Sequence, residues 1–298
     1  MERRAFGKTD MEVSILGFGG AEIGFENASL SVVKDLLAAA LDQGLNTIDT
    51  AECYVGSEEL IGNAVSTRRK DFYLFTKCGH SENFMGEAWS KADIAKTLEK
   101  SLKRLKTDYV DLLQLHSCSE EMLKKGEVIE ALQKAKKEGK TRYIGYSGDD
   151  QAALYAVNLG VFDALQTSVS ILDQQAIDLT IPLAKEKSMG VIAKRPIGNA
   201  VWSYKVKPTN SYHVEYWERL QKLKFDFING DTHDAAGAAL RFTLSIPGVH
   251  VAIVGTAKPG RWKENADILA KGLLDEDQYN KIRATWKKNS SPDWVGQI

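Results

Sequence analysis

The chain has 298 residues, a length that suits one large α/β domain, and its 39 Lys plus Arg against 40 Asp plus Glu leave a formal net charge of −1. That balance supplies no broad attraction for nucleic acid or an acidic membrane surface, and no run approaches the roughly 20 apolar residues of a membrane span. The three cysteines, Cys53, Cys78 and Cys118, are odd in number and form no CxxC pair, so reduced thiols in a cytoplasmic setting are expected, with no metal site. The charged stretch 1–13 lacks the apolar segment of a signal peptide.

In chain order, apolar strands are predicted at Ser14–Phe18, Asn46–Thr50, Phe72–Thr76 and Tyr109–His116, separated by helical patterns at Ser31–Gln43, Glu58–Val65 and Lys91–Leu105. A helix at Val128–Glu138 leads to a strand at Tyr143–Ser147, and a helix at Gln151–Val157 to a strand at Ala164–Thr167. A helix at Gln174–Lys187 precedes the strand Gly190–Lys194, and a helix at Ala235–Leu244 precedes the strand His250–Gly255. Gly44 and Gly139 follow helices where a left-handed cap is expected. Ser57 and Ser90 stand where they can cap the helices that follow them. Two connections, Gly79–Trp89 and about 198–231, exceed what a compact fold needs, and long ordered loops are usually functional. Eight strands alternating with helices imply parallel pairing with right-handed crossovers. At this length the expected architecture is a closed (β/α)8 TIM barrel, one domain over residues 1–298.

In such a barrel, chemistry gathers at the carboxyl ends of the strands. Asp49, Tyr54, Lys77 and His116 lie there on three consecutive strands and their loops. Reduction of a carbonyl by hydride generates an alkoxide that needs a proton. A free tyrosine, with a pKa near ~10, is a poor acid without help, and a nearby ammonium would lower that pKa. Lys77 can supply the charge, Asp49 can be its counter-ion, and His116 can orient the substrate oxygen or share the proton.

The segment Asn46-Thr-Ile-Asp49-Thr-Ala-Glu-Cys-Tyr54-Val-Gly-Ser-Glu-Glu-Leu-Ile-Gly62 closely resembles the signature of the aldo-keto reductases, and the likeness extends along the whole chain. It implies a catalytic tetrad of Asp49, Tyr54, Lys77 and His116, and NADP(H) laid across the barrel mouth. Gly17-Phe-Gly19-Gly20 lacks the third glycine and the context of a Rossmann fingerprint. The cofactor positions matched are Gly20, Ser147, Gln166, Lys194, Arg195, Gly255, Thr256, Arg261, Glu264 and Asn265, with Ser147 and Gln166 at the nicotinamide carboxamide. Lys258 can add a phosphate contact, and Arg261 suits a 2′-phosphate, which favours NADPH.

Three positions depart from the family pattern. Gly148 stands where an Asn usually follows Ser147, Lys194-Arg195 where an aromatic usually stacks on the nicotinamide, and Gly255 where many members carry a lysine. The substrate pocket is expected from Phe25, Tyr54, His80–Trp89, Ser117, the 198–231 connection and Trp294. The expected partner is a small carbonyl or alcohol. The rival reading is a non-catalytic cofactor-binding protein, as in potassium-channel beta subunits.

Overall fold

A computed structural model of the chain describes residues 1–80, 89–229, 232–258 and 260–297. The chain opens with an antiparallel hairpin, β1 (Arg3–Ala5) and β2 (Glu12–Ser14). Eight parallel strands follow: β3 (Leu16–Gly19), β4 (Thr47–Asp49), β5 (Tyr73–Cys78), β6 (Val110–His116), β7 (Thr141–Ser147), β8 (Ala164–Ser168), β9 (Gly190–Lys194) and β10 (Val251–Gly255). They close in chain order, with β10 hydrogen-bonded to both β9 and β3. This is the predicted (β/α)8 barrel with its flanking helices.

Strand parity sorts the side chains. Along β5, Leu74 and Cys78 join the apolar layer under the helices, whereas Phe75 joins the barrel interior. The hairpin seals the amino ends of the strands, where Phe6, Met11 and Val13 pack on Phe75, Leu112, Ala164, Ile192 and Val251. The Phe6 ring lies so close to the start of β9 that a Cβ on Gly190 would stand 2.4 Å from it. Glycine is therefore required there for close approach.

The predicted strand Ser14–Phe18 is divided. Ser14 ends the hairpin, because its N–H donates to Asn46 Oδ1 at 2.7 Å and its hydroxyl to the Leu16 carbonyl at 2.7 Å. The predicted helix Gln174–Lys187 breaks into Gln175–Leu179 and Ile181–Glu186. Pro182 has no N–H for the turn before it, so the helix restarts at Thr180. The long connection after β9 contains a helix, Ser211–Leu223, and the chain ends in a further helix, Glu276–Asn289.

Gly44 and Gly139 take the expected positive φ, 90° and 74°. The Ser90 hydroxyl accepts the Asp93 N–H at 3.1 Å, as a cap should. Ser57 does not cap. The helix begins at Ser57 itself after Gly56, and its hydroxyl donates to the Gly20 carbonyl at 2.6 Å and pairs with Thr50 Oγ1 at 2.9 Å. That bond ties the loop after β3 to the loop after β4 at the barrel mouth. No helix among the described residues is long and apolar enough to cross a membrane.

Candidate active site

At the carboxyl ends the inward positions turn polar. Asp49 closes β4, and Lys77 lies on β5 two residues beyond Phe75, the partner of Asp49 in the ladder. Lys77 Nζ donates to Asp49 Oδ2 at 2.5 Å and to the Thr50 carbonyl at 2.8 Å, and both side chains are only 1% exposed. Two charges this deep are costly unless paired and hydrogen-bonded. Gln114 and Gln166, from β6 and β8, complete the network, with Nε2 groups 3.4 and 3.5 Å from the Asp49 oxygens. Gln114 Nε2 also donates to Gln166 Oε1 at 2.8 Å. Burial pushes the Asp49 carboxyl upward against the pull of Lys77. Gln114 was missed in the sequence, although its place two residues before His116 puts it on the same face of β6.

Tyr54 sits in the turn after β4, with Lys77 Nζ 5.0 Å from its ring centroid. The His116 ring meets it edge-on at 5.8 Å and that of Phe25 at 5.7 Å. The expectation that Lys77 lowers the Tyr54 pKa is corrected. Burial foremost, then the negative charge of Asp49, hold the phenol well above its usual value. The ammonium faces the ring and is already engaged by Asp49. Burial, followed by the charges of Lys77 and Lys194, drives the His116 imidazole well below its usual value. Its Nδ1 is 3.4 Å from Cys53 Sγ, and the His80 ring lies at 5.4 Å. The site thus presents a neutral phenol and a neutral imidazole above a buried ion pair.

The positions matched to a dinucleotide lie in or after the carboxyl-terminal parts of β3, β7, β8, β9 and β10. Ser147 Oγ is buried without a hydrogen-bond partner at the end of β7, and Asn265 Nδ2 is likewise buried and unpartnered. Both fit groups that await an amide or adenine contact. Gln166 is instead turned toward Gln114 and Asp49. Lys194 bonds Asp149 at 2.8 Å, and Arg195, at φ 57°, donates to Tyr212 Oη at 2.5 Å and Ser168 Oγ at 2.7 Å. Asp149 also accepts from Thr167 and Ser168 and is held below the usual carboxylate range by Lys194 and Arg195, against the cost of burial. Gly20 donates its N–H to the Asp49 carbonyl at 2.7 Å. A Cβ at Gly255 would fall 1.5 Å from Glu22 Oε2, so the Glu22 carboxyl fills the space a larger residue would take. Thr256 Oγ1 accepts the Lys258 N–H at 3.0 Å, and Arg261 Nη1 bonds Glu264 at 2.8 Å.

Of the pocket residues, Phe25 is exposed beside Tyr54, Trp89 packs on His80, and Ser117 donates its N–H to the Ser147 carbonyl at 2.7 Å. Residues 81–88 and 230–231 lie outside the described residues. Trp294 is buried against Trp286 and Arg219. The three cysteines are buried and form no disulfide.

The sequence model of the Aldo/keto reductase family matches residues 15–287. The chain belongs to that family. Among its relatives, L-galactose dehydrogenase of Arabidopsis thaliana is 29% identical over 100% of this chain and 98% of that protein. The uncharacterized oxidoreductase YqkF of Bacillus subtilis is 29% identical over 97% of this chain and 98% of that protein. The holo form of the aldo-keto reductase AKR11C1 from Bacillus halodurans superposes with a TM-score of 0.84 at 27% identity, covering 98% and 99% of the two chains. The reductase family thus accounts for the barrel and for a nicotinamide cofactor as its redox partner.

Proposed function

We propose that this aldo/keto reductase converts an aldehyde or ketone to an alcohol at the expense of NADPH, with Tyr54 as the proton donor. The observation that carries the reading is the Tyr54 phenol standing over the buried Lys77–Asp49 pair, with the His116 ring edge-on beside it. When bound, the cofactor supplies a hydride to the carbonyl carbon. Ser147 and Gln166 would hold its carboxamide, Gly20, Lys194, Arg195 and Gly255 its middle, and Thr256, Arg261, Glu264 and Asn265 its adenosine end.

The substrate oxygen is received between Tyr54 and His116. The raised pKa keeps the Tyr54 hydroxyl protonated across the neutral range, as a donor must be. As negative charge grows on that oxygen, the phenol passes its proton to it. Asp49, paired with Lys77 at 2.5 Å, offsets part of the cost of burying the ammonium. Three buried thiols in no disulfide fit a reducing compartment such as the cytoplasm.

The test is NADPH oxidation against a panel of reactive aldehydes and ketones, with cofactor binding followed separately by fluorescence. Tyr54→Phe should lower turnover by about 10²–10⁴-fold and leave cofactor binding nearly intact. Retention of more than half the wild-type rate, with chemistry limiting, would remove Tyr54 from the reaction. Wild-type protein that binds NADPH but turns over no carbonyl would favour the non-catalytic partner role.

A further inference from the structure

The turn that carries Tyr54 also carries Cys53, whose thiol the reaction does not use. Its Sγ lies 3.4 Å from Nδ1 of His116, within reach of a sulfur hydrogen bond, and the two side chains are 1% and 8% exposed. The turn itself is fixed: Glu52 donates its N–H to the Lys77 carbonyl at 3.3 Å, Tyr54 to Ala51 at 3.1 Å, and Ser57 to Tyr54 at 3.0 Å. We infer that Cys53 is a positioning residue that sets the tautomer of His116, leaving the imidazole proton on Nε2 as the donor to the substrate oxygen.

A neutral imidazole has one donor and one acceptor nitrogen, and the partner of one decides the role of the other. Thiol sulfur is a weak acceptor, whereas an imidazole lone pair is a strong one. The favoured arrangement is therefore S–H donating to Nδ1. Two conditions are needed, a protonated thiol and an uncharged ring. Burial supplies both: it pushes the Cys53 thiol up to about 12 and the His116 imidazole well down. One turn then places the Tyr54 hydroxyl and specifies the hydrogen-bond role of its neighbour. The last step, donation to a substrate oxygen, rests on the reading under Proposed function. The tautomer does not.

The experiment uses full-length protein labelled with 15N at histidine, read by long-range proton–nitrogen correlation near pH 7.5. The His116 signals are assigned by their loss in His116→Gln. Wild type should show an unprotonated Nδ1 and a protonated Nε2. Cys53→Ala should mix the tautomers and lower kcat about three- to tenfold, with the cofactor Kd unchanged, the scale of one modest hydrogen bond. Cys53→Ser, which restores a donor, should restore both. A wild-type proton on Nδ1 would overturn the inference. So would equal losses in the Ser and Ala variants, which would mean that Cys53 only fills space. If the tautomer follows Cys53 while no carbonyl is reduced, the inference stands and the reductase reading falls.

Discussion

The two ends of the barrel use the same inward-facing strand positions for opposite purposes. At the amino end, Phe6, Met11 and Val13 of the hairpin meet Phe75, Leu112 and Ile192, all buried, with the Phe6 and Phe75 rings stacked at 5.7 Å. At the carboxyl end, two residues along the same strand from Phe75, Lys77 is equally buried but holds a charge. The apolar end gains stability from area removed from water, whereas the polar end carries desolvation costs that hydrogen bonds only partly offset. Non-glycine residues with positive φ occur at both ends: Ser117 and Arg195 directly follow β6 and β9 at the polar end, whereas Lys106 and Ser188 precede those strands at the amino end.

The largest effect should come from splitting the buried pair. Lys77→Met leaves Asp49 as an uncompensated carboxylate, at a cost of about 3–5 kcal/mol in urea denaturation. The double variant Lys77→Met, Asp49→Leu should recover most of that stability but none of the turnover. If the double variant is as unstable as the single one, burial of a lone charge is not what the single change exposes. At the other end, Phe6→Ala should cost about 3–5 kcal/mol through a cavity at the base of the barrel, with kcat per folded molecule unchanged. A kcat loss beyond twofold would mean that the two ends are coupled.

Sequence patterning carried the barrel because each strand is short, apolar and followed by an amphipathic helix. The candidate site was legible where spacing is local, as from Asp49 to Tyr54, or where parity reaches across neighbouring strands, as from Lys77 to His116. The hairpin was not legible. Arg3–Ala5 and Glu12–Ser14 are three-residue strands, too short to show alternation, and the first carries two charges. The direction of the Tyr54 shift was not legible either, because it depends on whether burial or the neighbouring ammonium dominates. Glu22 gave no signal, since what matters is the space left by Gly255, far along the chain.

Glu22 offers a pH-dependent contrast between the ends. Burial lifts its carboxyl from 4.5 to about 7. Below about 4.5 it is protonated in both folded and unfolded chains and costs nothing. Between the two values the unfolded chain ionises first, so stability falls as pH rises, and above about 7 the penalty is complete. Glu22→Gln should therefore be isoenergetic with wild type near pH 4.5 and more stable at pH 8. At about 1.4 kcal/mol per pKa unit the difference is at most about 3.5 kcal/mol, and nearer 1–2 for a side chain that is only partly buried. Urea denaturation of both proteins across this range decides it, and parallel curves would mean that Glu22 ionises normally.

The smallest expected effect concerns cofactor choice at the rim of the mouth, where charges are solvated rather than buried. Arg261 opens the helix Arg261–Ala270, and its side chain is 42% exposed. The 2′-phosphate distinguishes NADPH from NADH, and a guanidinium suits it through charge-assisted bonds. Such a bond contributes roughly 1.5–3 kcal/mol, or about ten- to hundredfold in affinity. Glu264, 2.8 Å from Arg261 Nη1, competes for the same donors, and Lys258 nearby can substitute for some of the charge. Arg261→Ala should accordingly weaken NADPH by about tenfold more than NADH, and the difference should shrink as salt rises. Fluorescence titration of both cofactors against wild type and variant measures it. Equal losses for the two would show that Arg261 serves the adenine or the helix start, and would leave the preference for NADPH without a residue to carry it.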